Sequence, residues 1–215
     1  GDDTIYAGDG DNVITAGAGA DSIFAGSGDH TITGGAGDDV IDGGAGNNTY
    51  IFNAGDGEDV IADTNSGDTI KIEIAGAASN VTCTASDING STHIGKLTIA
   101  GYNAGDSIEI DNFDFGDADN NIAAIQVKNS AGTGYEEVTI ADKLVLDVVL
   151  SNNQNYDVST YAFTQTISLS VGATNVTVSN MKSTDNIILA GAGLSRTWSA
   201  SEKDKLVSLD RKSVV

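Results

Sequence analysis

Apolar and polar positions follow a nine-residue period over the first quarter of the chain. Cut every nine residues from Gly1, the sequence reads GDDTIYAGD, GDNVITAGA, GADSIFAGS, GDHTITGGA, GDDVIDGGA and GNNTYIFNA. Glycine opens all six units, and the fifth place holds Ile in the first five units and Tyr50 in the sixth. Each unit therefore contains a short β-rich segment with one central apolar side chain, followed by a turn.

This period predicts a solenoid of short parallel strands. A second glycine lies seven places after the first in each of the first five units, and glycine permits the positive-φ turns that reverse the chain. Nine residues make one strand and one turn, so two units complete one coil. Successive coils stack as two parallel sheets with the Ile column between them. The predicted fold class is all-β: a parallel β-roll, which is a two-sheet solenoid of nonapeptide repeats, followed by a β-rich cap and a C-terminal β domain.

The charge distribution indicates that the repeats need external cations. The chain has 215 residues with 31 acidic and 10 basic side chains, a net charge of −21. Residues 1–70 hold 14 of the acids and no Lys or Arg, so this segment repels itself unless cations bind. The same excess of acids argues against nucleic-acid binding and against docking on anionic lipid. No apolar run reaches the roughly 18–20 residues of a membrane span.

Carboxylates at fixed spacing in the turns, beside carbonyls exposed by glycine, supply the hard oxygen ligands that suit Ca²⁺. The stretch 34–41 reads Gly-Gly-Ala-Gly-Asp-Asp-Val-Ile, and 50–57 follows a similar register. These residues resemble the RTX (repeats-in-toxin) nonapeptide Gly-Gly-x-Gly-x-Asp-x-hydrophobic-x, a calcium-binding repeat. The resemblance implies a calcium-stabilised β-roll over 1–63. It also implies a bacterial protein exported by type I secretion and located outside the cell or on the cell surface.

The aspartate column of this family falls on two opposite edges of the roll, because alternate units face opposite sides. One edge, the Asp edge, carries Asp3, Asp21, Asp39 and Asp59, and the other, the Asn/His edge, carries Asn12, His30 and Asn48. We predict calcium between neighbouring coils of the Asp edge, between positions 3 and 21, 21 and 39, and 39 and 59. We expect the Asn/His edge to bind calcium weakly or not at all, because amides and imidazole are poor calcium ligands.

The predicted metal-binding residues combine column carboxylates with glycine carbonyls. They are Asp3, Gly17, Gly19, Asp21, Gly35, Gly37, Asp39, Gly55, Gly57 and Asp59. A further set of acids lies one place before the column and is expected to face solvent. These are Asp2, Asp11, Asp29 and Asp38.

Beyond the repeats the nine-residue period is lost, but β patterns continue. Alternating segments at 68–74, 96–99 and 106–110 predict a β cap over 64–115, which closes the open end of the roll. This region resembles the short β segment that follows RTX repeats. The remaining 116–215 is predicted to be a C-terminal β-rich domain. It contains strands near 122–127, 137–140, 143–150, 166–171, 175–178 and 186–189, a short helix at 199–209 and, by family analogy, an export signal.

The sequence contains no recognisable catalytic motif. Neither Gly-x-Ser-x-Gly nor His-Glu-x-x-His occurs, His93 is the only histidine outside the repeats, and Cys83 is the only cysteine. We therefore expect a non-enzymatic, calcium-binding structural module of a bacterial surface-layer, filament or adhesin protein.

Its expected partners are calcium ions and, through the open roll edge, another copy or a neighbouring domain. Two alternatives remain open at this stage. The chain can be the C-terminal secretion and folding region of a type I-secreted hydrolase or toxin, or 116–215 can be a lectin-like domain.

Overall fold

The architecture follows the predicted solenoid. A computed structural model describes residues 1–65, 67–86, 94–114, 124–148, 155–157, 166–170, 177–179 and 186–190. Nearly all regular structure in these residues is β, with one α-helical turn at Ile140–Lys143 (α1) and one 3-10 turn at Ala77–Ser79. The all-β, parallel-solenoid fold class is therefore confirmed.

Eight short strands form the roll and alternate between two sheets. The first sheet contains β1 (Thr4–Gly8), β3 (Ser22–Ala25), β5 (Val40–Asp42) and β7 (Glu58–Asp63). The second sheet contains β2 (Val13–Ala18), β4 (Thr31–Ala36), β6 (Thr49–Phe52) and β8 (Thr69–Ile72). All their pairings are parallel, and Ser22 lies opposite both Thr4 and Val40. The coil is therefore eighteen residues long, as predicted. A two-residue insertion lengthens the last coil, because Val40 pairs with Val60.

Ten described strands follow the roll, and eight of them extend its two sheets. They are β9 (Thr82–Ser86), β10 (Ile94–Ala100), β11 (Ser107–Asp114), β12 (Ala124–Lys128), β13 (Tyr135–Val138), β14 (Leu144–Val148), β15 (Asn155–Asp157), β16 (Thr166–Ser170), β17 (Thr177–Ser179) and β18 (Asn186–Ala190). The first sheet runs β1-β3-β5-β7-β11-β10-β9-β14-β16-β18 and the second β13-β12-β8-β6-β4-β2, while β15 pairs with β17. Pairing is parallel where β11 meets β7 and where β12 meets β8. It is antiparallel from β11 through β10 to β9 and between β12 and β13, and parallel again from β9 through β14 and β16 to β18.

The later strands therefore continue both sheets from the last coil of the roll. Strand β12 lies beyond the predicted division at 115/116, yet it pairs directly with β8 of the roll. The division of the chain into 1–63, 64–115 and 116–215 stays a prediction. The helix predicted at 199–209 lies outside the described residues. No helix in the described part of the chain is long and apolar enough to cross a membrane.

The core is the single column of apolar side chains between the two sheets. The central residues of the roll strands are completely buried from the second coil onward, and Tyr50 fills the Ile place in β6. The buried column residues are Ile14, Ile23, Ile32, Ile41, Tyr50, Ile61 and Ile70. Side chains next to the column point outward, as Val13 does with 84% exposure. From the second coil onward each coil thus buries only two or three large apolar side chains, Phe52 and Ile72 being the additional ones. The core is therefore thin, and the turns must contribute to stability.

Replacing one core isoleucine measures how much this column contributes. We expect Ile32→Ala to reduce the free energy of unfolding by about 3 kcal/mol, because Ile32 is fully buried and leaves a cavity. Val13→Ala, at an exposed position of a neighbouring strand, is the matched control and should change it by less than about 0.5 kcal/mol. Urea unfolding in saturating calcium, followed by circular dichroism, gives both values. Equal losses for the two variants would contradict the assignment of the core.

Candidate metal centre

The Asp edge is a stack of buried carboxylates joined by hydrogen bonds from coil to coil. Asp21, Asp39 and Asp59 are 1%, 1% and 2% exposed. The backbone N–H of Asp3 donates to Asp21 Oδ1 (2.7 Å), that of Asp21 to Asp39 Oδ1 (2.8 Å) and that of Asp39 to Asp59 Oδ1 (3.0 Å). One oxygen of each of these three carboxylates is therefore held by the preceding coil.

The second oxygen of two of these carboxylates lacks a partner. Asp21 Oδ2 and Asp39 Oδ2 are buried and accept no hydrogen bond in the described structure. A buried carboxylate oxygen without a donor or a cation is strongly unfavourable. Gly34 keeps space beside one of them, because a Cβ at Gly34 would lie 2.1 Å from Asp39 Oδ2. These oxygens fit the ligand set of a cation such as Ca²⁺.

Glycines bring the turns of successive coils into contact next to the carboxylates. Gly17, Gly19, Gly35 and Gly37 have φ values of 121°, 128°, 114° and 130°. A Cβ on Gly35 would lie 1.8 Å from the Gly17 carbonyl oxygen, and one on Gly37 would lie 2.3 Å from that of Gly19. Only glycine combines this backbone conformation with so close an approach. The turns of two adjacent coils, with their carbonyls, thereby lie directly against each other.

The last coil continues this stack only in part. Gly57 lies against Gly37, because a Cβ added at Gly57 would lie 2.9 Å from the Gly37 carbonyl oxygen. A Cβ added at Gly55 would meet no atom within 4 Å. The Gly55 N–H instead donates to Asp106 Oδ2 at 2.7 Å. The strand register places Ile108 opposite Asp59, so the Asp edge ends at Asp59. The ligand assignments themselves stay predictions.

The described residues contain no group of three or more acidic, histidine or cysteine side chains placed to hold a metal. An ion on the Asp edge must therefore complete its coordination with backbone oxygens. Calcium accepts such mixed shells of carboxylates and carbonyls, typically with about 6–8 oxygens.

The electrostatics of the Asp edge favour a bound cation. The pKa of Asp59 is raised to about 7, chiefly by burial and also by the charges of Asp39, Asp56 and Asp38, against the lowering effect of the hydrogen bond from the Asp39 N–H. Burial also raises the pKa of Asp39, with Asp21, Asp56 and Asp38 adding to the shift. These shifts mean that the protein alone stabilises the ionised carboxylates poorly.

Sequence reasoning missed Asp68, which continues the Asn/His edge. The Asn48 N–H donates to Asp68 Oδ1 (2.7 Å), while Asp68 Oδ2 accepts from the Asn65 N–H (3.0 Å) and the Tyr50 hydroxyl (3.5 Å). Asp68 is fully buried, and burial raises its pKa. The two-residue insertion moved Asp68 out of the nine-residue phase, so the column appeared to stop at Asn48.

A recurring Asn-x-Gly-Asp turn is the signal that could have revealed it. This tetrapeptide occurs at 53–56, 65–68 and 103–106. In the first turn the Asn53 N–H donates to Asp56 Oδ2 (2.6 Å), and in the third Asn103 Nδ2 donates to Asp106 Oδ2 (2.7 Å). All three aspartates are buried. These turns therefore supply their own donors to a buried carboxylate.

The acids one place before the column have a contact that the sequence did not predict. Their side chains are exposed, as expected, but each also accepts a backbone hydrogen bond from the next coil. The donors are the N–H groups of Ala20 to Asp2, Asp29 to Asp11, Asn47 to Asp29 and Glu58 to Asp38, at 2.7–3.0 Å. These carboxylates therefore link coils in the opposite chain direction from the column residues.

Comparison with known families agrees with this geometry. The segments 1–29, 17–50 and 31–61 each match the RTX calcium-binding nonapeptide repeat in its four-copy form. No curated protein matches the chain. The N-terminal part of the chain consists of RTX calcium-binding repeats, as the resemblance in the sequence indicated, and it is a calcium-binding structural module.

The cost of the close glycine stack can be isolated with two variants of similar backbone conformation. Gly17 and Gly35 have φ values of 121° and 114°, but only at Gly35 would a Cβ collide with another coil. We expect Gly35→Ala to lower the urea concentration at the midpoint of unfolding far more than Gly17→Ala does. The Gly17 variant introduces the backbone strain without the collision. Urea unfolding in calcium measures both. Similar losses would mean that the coils do not approach as closely as described.

The raised pKa of Asp59 predicts the pH dependence of the calcium-free roll. Its pKa is about 7 in the folded state and 3.8 ordinarily, so protonation favours the folded state. This contribution is complete below pH 3.8 and is lost as the pH rises through about 7. The folded fraction of the repeats in calcium-free buffer, measured by circular dichroism, should therefore decrease as the pH rises from 3.8 to about 7. Asp59→Asn should show a weaker dependence, and a folded fraction that rises with pH in calcium-free buffer would contradict the assignment.

Proposed function

We propose that the chain is an extracellular structural module that folds when it meets calcium after secretion. The observation that carries this proposal is the pair of buried, partnerless oxygens of Asp21 and Asp39 within RTX calcium-binding repeats. Calcium near the millimolar level outside cells matches the roughly 10⁻⁴–10⁻³ M affinities of extracellular calcium modules. At cytosolic calcium levels the acidic repeats stay expanded, which suits passage through a type I export channel.

Calcium binding then supplies folding free energy. The carboxylates of the Asp edge and the glycine carbonyls beside them would hold the ions and bridge successive coils, so that binding stabilises only the folded roll. The later strands serve as the template for winding, because β11 and β12 pair in parallel with the last strands of the roll. A coil has no neighbour to pair with until such a template exists.

The proposed role is mechanical rather than enzymatic. The chain carries none of the catalytic motifs sought in its sequence, and burial raises the pKa of the Cys83 thiol to about 12. That thiol stays protonated at neutral pH and is a poor nucleophile. A calcium-stiffened scaffold in a surface-layer, filament or adhesin protein needs no active site.

The outer edges of β1 and β2 suit such a scaffold. Each of these strands is the terminal strand of its sheet and pairs with one neighbour only. Their free backbone groups can pair with another copy or with further repeats. Light scattering and electron microscopy of the chain with and without calcium test this part of the proposal. Calcium-dependent assembly supports the scaffold role, and a monodisperse monomer in millimolar calcium contradicts self-association.

A calcium titration tests the folding proposal. Far-ultraviolet circular dichroism should show little ordered β structure in the repeats in excess EDTA, and a cooperative gain near millimolar calcium. Titration calorimetry should find no more than the three sites predicted between neighbouring coils of the Asp edge. The double variant Asp21→Ala/Asp39→Ala should lose most of this calcium response, while Asp2→Ala, at an exposed position next to the column, should keep it. Full β structure in EDTA at low salt, or five or more tight sites, would contradict the proposal.

A further inference from the structure

The Asn/His edge is built on the same ladder as the Asp edge. The Asn12 backbone N–H donates to His30 Nδ1 (3.2 Å), and the His30 backbone N–H donates to Asn48 Oδ1 (3.1 Å). One acceptor atom of the His30 and Asn48 side chains is therefore held by the preceding coil, as Oδ1 of the aspartates is. Because Nδ1 of His30 must accept, the neutral imidazole carries its proton on Nε2.

The second polar atom of each side chain on this edge is a donor. Asn12 Nδ2 donates to the carbonyls of Gly8 (3.2 Å) and Gly10 (2.9 Å). Asn48 Nδ2 donates to the Gly44 carbonyl at 3.1 Å, and His30 Nε2 lies 3.4 Å from the Gly26 carbonyl. In all three cases the donor reaches the carbonyl four residues earlier, in the turn of its own coil.

The corresponding atoms of the Asp edge cannot make this bond. The residues four positions before Asp21 and Asp39 are Gly17 and Gly35, and those two positions before are Gly19 and Gly37. These are the glycines predicted to give carbonyl ligands. The second polar atom of the aspartates is an acceptor, and it has no partner. The two edges thus differ in one atom of each column side chain. On the Asn/His edge this atom is an N–H donor, and on the Asp edge it is a carboxylate oxygen that needs a cation.

We propose that the Asn/His edge is metal-independent, with side-chain N–H groups of Asn12, His30 and Asn48 in the place that calcium takes on the Asp edge. This inference rests on the proposed calcium binding of the Asp edge. The N–H groups of these neutral side chains replace calcium as the partner of the turn, so weak calcium binding is not the whole difference between the edges. Asp68 completes the edge with both of its oxygens bonded to protein donors. The roll therefore has one edge whose polar side-chain atoms are satisfied by the protein itself and one whose unpartnered carboxylate oxygens need calcium.

Exchanging aspartate for asparagine on the Asp edge tests this inference without calcium. In EDTA, Asp21→Asn/Asp39→Asn should be more stable than the unmodified chain, because each new Nδ2 can donate to the carbonyl four residues earlier. We expect a gain of about fivefold in the folding equilibrium constant per position over Asp21→Ala/Asp39→Ala. The alanine variant is the matched control, since it removes the same two charges and supplies no donor. Circular dichroism in EDTA measures all three, at a series of concentrations of a stabilising osmolyte such as trimethylamine oxide that bring each chain through its folding transition.

Two outcomes distinguish this inference from the proposed function. An asparagine variant no more stable in EDTA than the alanine variant would overturn the inference, even if the unmodified chain binds calcium. An unmodified chain that binds no calcium would overturn the proposed function, while the comparison in EDTA would still test the donor exchange.

The reverse exchange gives a second test on the Asn/His edge. Asn48→Asp should lose stability in EDTA and regain it in calcium, and calorimetry should show added calcium binding relative to the unmodified chain. Stability in EDTA equal to that of the unmodified chain, with no added binding, would overturn the inference. If Asn48→Asp does not fold in either buffer, the Asp21/Asp39 variants decide the question.

Discussion

The structure depends on the hydrogen bond by which the side chain of one coil accepts the backbone N–H of the preceding coil. This bond recurs at every column position from Asp3 to Asp59 and from Asn12 to Asp68. It requires a short side chain with an acceptor atom, and aspartate, asparagine and the Nδ1 of histidine all satisfy it. It also buries the rest of that side chain, so the second polar atom must find a partner inside the turn.

The identity of this second atom decides what each edge needs. An amide or imidazole N–H is satisfied by a carbonyl of the same turn, whereas a carboxylate oxygen requires a donor or a cation, and the oxygens of Asp21 and Asp39 find no donor in their turns. The thin apolar column cannot offset several buried carboxylates, because burial of an unpaired charge costs more than one isoleucine contributes. The first lysine of the chain is Lys71, so the repeats contain no internal cation. The calcium proposed here would then be a structural component of the roll as well as its ligand.

The regular part of the fold could be predicted from the sequence, because a nine-residue period with Ile at a fixed place admits one arrangement of strands. The coil length and the two-sheet core follow from that period, and both were found. The junction with the cap could not be predicted this way. A two-residue insertion shifted Asp68 out of phase, and the pairing of Ile108 with Asp59, which ends the Asp edge, joins residues distant in sequence.

The candidate site was predictable in its residue types but not in its hydrogen bonds. The repeat pattern identifies Asp21 and Asp39, but only the structure shows that one oxygen of each accepts a hydrogen bond and the other does not. The most direct measurement is a high-resolution structure of the chain crystallised in millimolar calcium. Ion density about 2.3–2.6 Å from Asp21 Oδ2 and Asp39 Oδ2, with none beside Asn12, His30 and Asn48, is the predicted result. Metal-free aspartates in such crystals, or equal ion density on both edges, would contradict it.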